Sequence, residues 1–417
     1  MEFRNLKPLK EITTLVKRGI TPKYSNIAGI EVINQRCIRD GKIDFNLVRN
    51  HDPNKNFSDE KKLKKYDVLV NSTGVGTLGR VAQFYNDNVE VIYTADSHVT
   101  IIRAEDHINK VYFGYAIKEK ENFIESMGEG STGQTELSRI RLEEEVFINV
   151  PPIKIQNNIA EILLNIDKKL EINNKIIENL ESQAQAIFKS WFVDFEPFQD
   201  GDFEESELGL IPEGWDVNQV GKITSCKLGG TPSRKKEEFW GGEIPWINSG
   251  AVNKERILQG AEYITEEGLN SSSTKLLPKK TTLVAITGAT LGQVSLLEID
   301  CCTNQSVIGI LENEEMPYEF IYLFIKENIK KIILNQTGAA QQHINLNDIR
   351  TTKILIPDSS AMGLFKGLMS PIFMQIENLY FQNQTLAQTR DTLLPKLMSG
   401  EIDISNIKID DEDIDYE

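Results

Sequence analysis

The chain lacks most of what a catalyst of its length would carry. Its four histidines, His51, His98, His107 and His343, include no i, i+4 pair of the kind that holds a catalytic metal. Its four cysteines, Cys37, Cys226, Cys301 and Cys302, show no C-x-x-C spacing, which excludes a zinc ribbon and a disulfide framework and points to a reducing cytoplasm. No G-x-x-x-x-G-K-[ST] loop is present, so ATP hydrolysis has no seat. A DNA amino-methyltransferase grips its flipped base with Asp/Asn-Pro-Pro-aromatic; Asn149-Val150-Pro151-Pro152-Ile153 is not that motif. No apolar run reaches the ~18 residues of a membrane span, and the segment Met1–Leu9 has no apolar core that would mark it for export. The expectation is a protein with no catalytic residues, no metal and no cofactor.

What is present supports several cores. The chain has 417 residues, 40% of them hydrophobic, which fits two or more domains. The net charge of −16 is confined to two segments: Asp194 to Asp216 holds nine acidic residues and no basic one, and Glu401 to Glu417 holds eight and Lys408. The rest of the chain is balanced, so basic faces can form despite the acidic total. The two acidic runs read as a solvated linker and tail.

The sequence repeats itself. Gly19-Ile20-Thr21-Pro22 recurs as Gly229-Gly230-Thr231-Pro232, Thr94-Ala95-Asp96-Ser97 as Thr303-Asn304-Gln305-Ser306, and Thr132-Gly133-Gln134 as Thr337-Gly338-Ala339. Phe147-Ile148-Asn149-Val150-Pro151 answers to Lys353-Ile354-Leu355-Ile356-Pro357. The order is kept, so the chain holds two copies of one unit. Asp96 and His98 beside Ser72 or Ser97 could be drawn as a catalytic triad, but this alignment puts Gln305 and Val307 at the Asp96 and His98 positions of the second copy.

Each copy ends in a helical pattern. From about Gln156 to Phe192, apolar residues fall at spacings of three and four, among them Ile166, Leu170, Ile177, Leu180, Ile187 and Trp191. The second copy matches without a gap through Ile372, Ile376, Leu386, Leu393 and Leu397. Two such helices can bury their stripes on each other as an antiparallel coiled coil. Pro371 should kink or break the second helix near its start, or open a new segment with Ser370 as N-cap. The middle of the first helix, near Asn173-Asn174, is expected to be exposed.

The stretch Ser72-Thr73-Gly74-Val75-Gly76-Thr77-Leu78-Gly79-Arg80 contains G-x-G-x-x-G after the strand-like Val68-Leu69-Val70. A dinucleotide loop must open a helix, whereas β-rich sequence follows here. The second copy, Ile286-Thr287-Gly288-Ala289-Thr290-Leu291-Gly292-Gln293-Val294, keeps only a Thr-Gly start and a Leu-Gly-x-Val finish. A glycine-bearing turn between strands is the expectation. A nucleotide-binding enzyme built on Gly74–Gly79 is the alternative.

Better candidates for function are two basic, Gly/Pro-bearing loops at matching places: Lys17, Arg18, Thr21, Lys23 and Tyr24 in the first copy, and Thr231, Ser233, Arg234, Lys235 and Lys236 in the second. Such loops neutralise phosphates while polar side chains read base edges. Gln134 and Thr135, and Gln341, Gln342 and His343, add amide, hydroxyl and imidazole groups suited to base edges. Trp215, Trp240 and Trp246 read as packing residues.

Five stretches together resemble the specificity subunit of type I restriction-modification systems. They are Leu180-Glu181-Ser182-Gln183-Ala184-Gln185-Ala186-Ile187-Phe188-Lys189-Ser190-Trp191-Phe192-Val193-Asp194-Phe195, Leu208-Gly209-Leu210-Ile211-Pro212-Glu213-Gly214-Trp215, Gly230-Thr231-Pro232-Ser233 with Ile244-Pro245-Trp246-Ile247, and Thr392-Leu393-Leu394-Pro395-Lys396-Leu397-Met398-Ser399-Gly400-Glu401-Ile402. The resemblance implies a mixed α/β chain: target-recognition domain 1 over 1–151, spacer helix 1 over 152–193, the acidic linker over 194–216, target-recognition domain 2 over 217–357, spacer helix 2 over 358–400 and the acidic tail over 401–417. It also implies a bipartite, asymmetric site in double-stranded DNA, with two methyltransferase subunits as partners and restriction subunits joined through the complex. Methylation and cleavage then belong to those partners. A coiled-coil adaptor that binds no DNA is the other alternative.

Overall fold

A glycine with no room for a side chain marks the same place in both copies. Gly19 follows the strand Thr13–Arg18, and a Cβ on it would stand 1.9 Å from the carbonyl oxygen of Ala95. Gly229 follows the strand Cys226–Leu228, and a Cβ there would stand 2.2 Å from Thr303 Oγ1. Only hydrogen fits at such distances. The hydrogen bonds around the two positions repeat one for one. Gly19 N donates to Val99 O and Ile20 N to Ala95 O; Gly229 N donates to Val307 O and Gly230 N to Thr303 O. Asp96 Oδ1 accepts from His98 N at 2.8 Å, and Asn304 Oδ1 from Ser306 N at 3.1 Å.

This pattern corrects the sequence alignment by one residue. Asp96 answers to Asn304, not Gln305, and His98 to Ser306, not Val307. The shared feature is a turn in which an Asp or Asn side chain bonds the backbone two residues on, a role that letter identity did not reveal.

The computed structural model describes residues 5–86, 88, 90–130, 135–334 and 343–405. The chain forms two units, Met1–Leu170 with Leu386–Glu417, and Glu171–Thr385. In the first, an antiparallel sheet runs in the order Thr13–Arg18, Val99–Ala104, Val68–Asn71, Val81–Gln83. Its central strands are buried on both faces: Val68, Val70 and Ile102 look into one core, Leu69, Val99 and Ile101 into another. That explains why these strands read as continuous apolar runs rather than alternating ones. A second sheet has the order Arg49–His51, Ile30–Ile33, Ile92–Ala95, with the last two parallel. In the other unit the first sheet runs Cys226–Leu228, Val307–Ile310, Thr282–Ala285, Val294–Leu297, Arg256–Ile257, and the second runs Glu262–Ile264, Trp240–Ile247, Cys301–Thr303, Leu276–Leu277. The strand order of the first copy recurs with an added edge strand in each sheet.

The long helices span Ile153–Phe192 and Ser359–Ser399. In the first unit Ile159, Ala160 and Leu163 of one helix and Leu397 and Met398 of the other join a single core, while Ile166, Leu170, Leu386 and Leu393 are half-buried. Asp167 accepts from Arg390 Nη1 at 2.9 Å and from the Tyr115 hydroxyl at 2.5 Å. In the second unit Phe188 and Phe192 pack against Phe320 and Phe365. Ile177 and Ile376 are buried there, and Leu180, Ile187, Trp191 and Ile372 are half-buried. The pairing of Asn173 with Gln382 and of Phe188 with Phe365 makes the two segments antiparallel within that unit.

Three expectations about these segments change. Pro371 neither breaks the second helix nor starts a new one; Ser370 bonds Glu319 Oε1 at 2.7 Å instead of capping. Met369 and Phe373, both fully buried, hold the helix on either side of the proline, so packing outweighs its missing N–H. Asn173 is fully buried rather than exposed, and its Nδ2 donates to Gln382 Oε1 at 2.7 Å and Asn383 Oδ1 at 2.8 Å. A buried amide of this kind costs stability and fixes helix register. The acidic linker contains a hairpin, Phe203–Ser206 with Gly209–Pro212, and Ile211 and Trp215 from it enter the core. Its acidic side chains remain mostly exposed. In the tail, Ile404 is buried and Asn158 Nδ2 donates to its carbonyl.

A buried ionic network ties the second unit's sheet to both helices. Arg256, fully buried between Tyr322 and Phe373, bonds Glu298 Oε1 at 2.8 Å and faces Glu181 Oε1 at 3.4 Å. Lys280 bridges Glu298 and Glu377, and Lys326 bridges Glu181 and Glu255. Burial, and then the neighbouring Glu255 carboxyl, push the Glu181 carboxyl up to about 7. Breaking such a pair by removing one partner leaves a buried charge uncompensated, whereas replacing both can be neutral. Arg256→Ala is expected to lower stability toward urea by about 3–5 kcal/mol. Arg256→Met with Glu298→Leu should recover most of that loss. A double variant as unstable as the single one would contradict this.

Candidate nucleic-acid interface

The glycine stretch is a turn between strands. Val68–Asn71 leads in and Val81–Gln83 leads out, paired antiparallel. Gly74, Gly76 and Gly79 have φ of +99°, +72° and +84°, and Gly288 and Gly292 in the second copy have +70° and +80°. Left-handed backbone is the reason for the glycines. A strand follows the loop, so the helix N-terminus that would bind a pyrophosphate is missing.

Other loops gather around this turn. The Thr73 hydroxyl meets His98 Nδ1 at 2.7 Å, and the Ser72 hydroxyl meets Thr100 Oγ1 at 2.6 Å. Ser72 and His98 are thus each engaged elsewhere, and no Ser–His–Asp relay forms from them. Burial raises the Asp96 carboxyl above its ordinary value, opposed by the His98 backbone N–H. Leu137 N donates to Ser72 O in the first unit, and Ile344 N to Ile286 O in the second. These bonds tie the polar residues Thr135 and His343, just upstream, to the two equivalent turns. Gln134, Gln341 and Gln342 lie outside the described residues.

The basic loops sit beside the same turns, and most of their charges are already partnered. Lys17 Nζ bonds Glu60 Oε2 at 2.7 Å; Arg18 pairs with Glu136 and donates to Leu137 O at 3.0 Å. Together with Lys61 and Arg139 they line an open cavity of about 810 Å³. Lys61, which the sequence reading missed, donates to Gly19 O at 2.8 Å. Thr21 and Lys23 are exposed. Lys23 and Tyr24 run alongside the strand Arg49–His51, with Lys23 N bonded to His51 Nδ1 at 3.0 Å.

In the second unit Thr231 Oγ1 donates to Gln305 Oε1 at 2.6 Å, and Ser233 O accepts from Trp240 Nε1 at 3.3 Å. Arg234 makes two hydrogen bonds to Glu262, one of 2.7 Å, and lies over the Trp240 ring at 3.6 Å. That pair keeps the arginine charged and holds the Glu262 carboxyl below its usual range. Lys236 lies over Phe239 at 4.6 Å, and Lys235 and His343 are exposed. Trp215 and Trp246 are buried and Trp240 half-buried. Exposed ion pairs of this sort contribute ~0–1 kcal/mol each. Among the described residues no group of three or more His, Cys, Asp or Glu side chains is placed to hold a metal ion, and no helix is long and apolar enough to cross a membrane.

Known proteins are similar to this chain. The family described as type I restriction modification DNA specificity domain matches residues 4–182 and again 212–379. The type I restriction enzyme HindI specificity subunit of Haemophilus influenzae is 26% identical over 407 residues, covering 82% of this chain and 88% of that one. The MjaIX specificity subunit of Methanocaldococcus jannaschii is 29% identical over 303 residues, covering 71% and 69%. The crystal structure of a type I restriction-modification S subunit from M. genitalium has the same fold, with a TM-score of 0.59 at 17% identity over 94% of this chain and 96% of that one.

The turn geometry separates its glycines. A Cβ on Gly79 would stand 2.7 Å from Glu125 Cα, whereas one on Gly76 would meet nothing within 4 Å. Gly79→Ala combines backbone strain with a steric clash and is expected to cost roughly 2–4 kcal/mol. Gly76→Ala carries only the strain, roughly 1–2 kcal/mol. Urea unfolding of the two variants measures the difference; equal losses would contradict it.

Proposed function

The chain belongs to the family of type I restriction-modification DNA specificity domains, and from that premise we propose that each of its two copies reads one short block of a bipartite, asymmetric duplex site. The observation that carries this is one scaffold with two different sets of loop side chains. The same backbone hydrogen bonds hold both loops, yet Lys17, Arg18, Thr21, Lys23 and Tyr24 stand in one and Thr231, Ser233, Arg234, Lys235 and Lys236 in the other. Thr135 and His343 join them on the neighbouring segments. Residues 1–151 and 217–357 serve as the recognition domains and 152–193 and 358–400 as the spacer helices.

The catalytic steps lie in partner subunits: two methyltransferase subunits that dock on this chain, and restriction subunits joined through the complex. On the second helix Leu364 and Leu368, one turn apart, are 65% and 43% exposed, an apolar surface suited to a docked subunit. The specificity chain contributes position and base readout, and its partners contribute the methyl transfer and the cleavage.

Replacing residues 1–151 by the recognition domain of a relative is expected to change one block of the methylated site and leave the other as it was. Sequencing of modified sites reads the outcome, and a change in both blocks would contradict the two-module reading. The purified chain alone should neither methylate DNA nor hydrolyse ATP. Glu60→Gln and Glu136→Gln release Lys17 and Arg18 from their carboxylates. Each should tighten non-specific binding and steepen the log K against log salt slope by up to about 0.9. An unchanged slope would show that these two cations do not meet phosphate.

A further inference from the structure

The two units place a guanidinium over an aromatic ring at the same loop–strand junction, by different residues. Counting from the equivalent glycines Gly19 and Gly229, Tyr24 and Arg234 occupy the same loop position. Their strand neighbours are also equivalent. Arg49 stands opposite Val32 and Glu262 opposite Trp246, while Ile33 and Ile247 pair in parallel with Ala95 and Thr303. In the first unit the strand supplies the cation: Arg49 lies 3.4 Å from the centroid of the Tyr24 ring. In the second the loop supplies it: Arg234 lies 3.6 Å from the Trp240 centroid and is clamped by Glu262.

We propose, on the premise that each unit reads a block of duplex DNA, that Arg49 and Arg234 are specificity-determining residues whose guanidinium edges contact a guanine in their respective blocks. A guanidinium seated on a ring turns its N–H donors outward in its own plane, the geometry that meets guanine O6 and N7 together. The stacking also fixes the side chain before DNA arrives, so less conformational freedom is lost on binding. Arg49 makes no ion pair among the described residues, and both it and Tyr24 are exposed. They border an open polar cavity of about 440 Å³ with Ser25, Asn26 and Asn50. Arg234 differs in being neutralised by Glu262. A neutral pair is a poor phosphate clamp but keeps free N–H groups for a base edge. The sequence conceals the correspondence, because the two positions hold Tyr and Arg, and Arg and Glu.

The test uses the full chain assembled with its methyltransferase partners and a pool of duplexes of randomised sequence. Wild type, Arg49→Lys, Arg49→Ala, Arg234→Lys and Arg234→Ala are compared by sequencing the bound fraction at two salt concentrations. Lysine keeps the charge but loses the planar fork. Arg49→Lys is expected to keep the salt dependence and the preferences in one block. It should reduce discrimination for guanine at one base pair of the other block roughly 5- to 150-fold. Arg234→Lys should do the same in the reciprocal block. The untouched block reports folding in each variant. Unchanged preferences in both alanine variants would overturn the assignment. So would a loss spread evenly over all sequences and restored by lysine, since that describes a phosphate contact. A wild-type complex without any sequence preference would remove the two-block reading, and this assignment with it.

Discussion

The cluster of loops at one end of each unit depends on a backbone contact at which no side chain is tolerated. Gly19 and Gly229 bring a loop against the end of a parallel strand, at Ala95 and at Thr303, closer than a Cβ allows. Two N–H donors lock it there in each unit. Once the loop is held, the glycine turn, the Asx turn at Asp96 or Asn304 and the segment before Leu137 or Ile344 are all drawn to the same end of the unit. The scaffold is specified by backbone hydrogen bonds, which makes it indifferent to the side chains it displays. That is the physical condition under which one fold can carry two recognition surfaces.

The helices answer to a different constraint. Each unit takes part of both: an apolar core secured by Asp167 and Arg390 in the first, and phenylalanines together with the Arg256 network in the second. In the middle of the first helix the buried Asn173 amide nitrogen is met by the side-chain amide oxygens of Gln382 and Asn383 opposite. An all-apolar seam would tolerate slippage, and the amide pairing does not.

Much of this was legible in the sequence. The two copies, the long helices and the strand–turn–strand around Ser72-Thr73-Gly74 could be read because periodicity and glycine placement are local properties. The side chains of the candidate interface were less legible. Lys17, Arg18 and Arg234 read as free cations, yet each has a carboxylate partner, Glu60, Glu136 or Glu262, 28 to 118 positions away along the chain. Arg49 gave no signal, since its meaning comes from Tyr24 across a strand pair. The misplacement of Asp96 against Gln305 has the same origin, because the alignment followed letters while the fold conserves a hydrogen bond. Pro371 misled in the opposite sense, a strong local rule overridden by the packing of Met369 and Phe373.

On the proposed function, two equivalent scaffolds with different loops produce one discontinuous and asymmetric target. The most direct measurement is the set of sites modified by the intact complex, read base by base across a genome. Two short specified blocks of unlike sequence, separated by bases of no preference, are expected. A single contiguous block, or two identical blocks arranged as an inverted repeat, would contradict it.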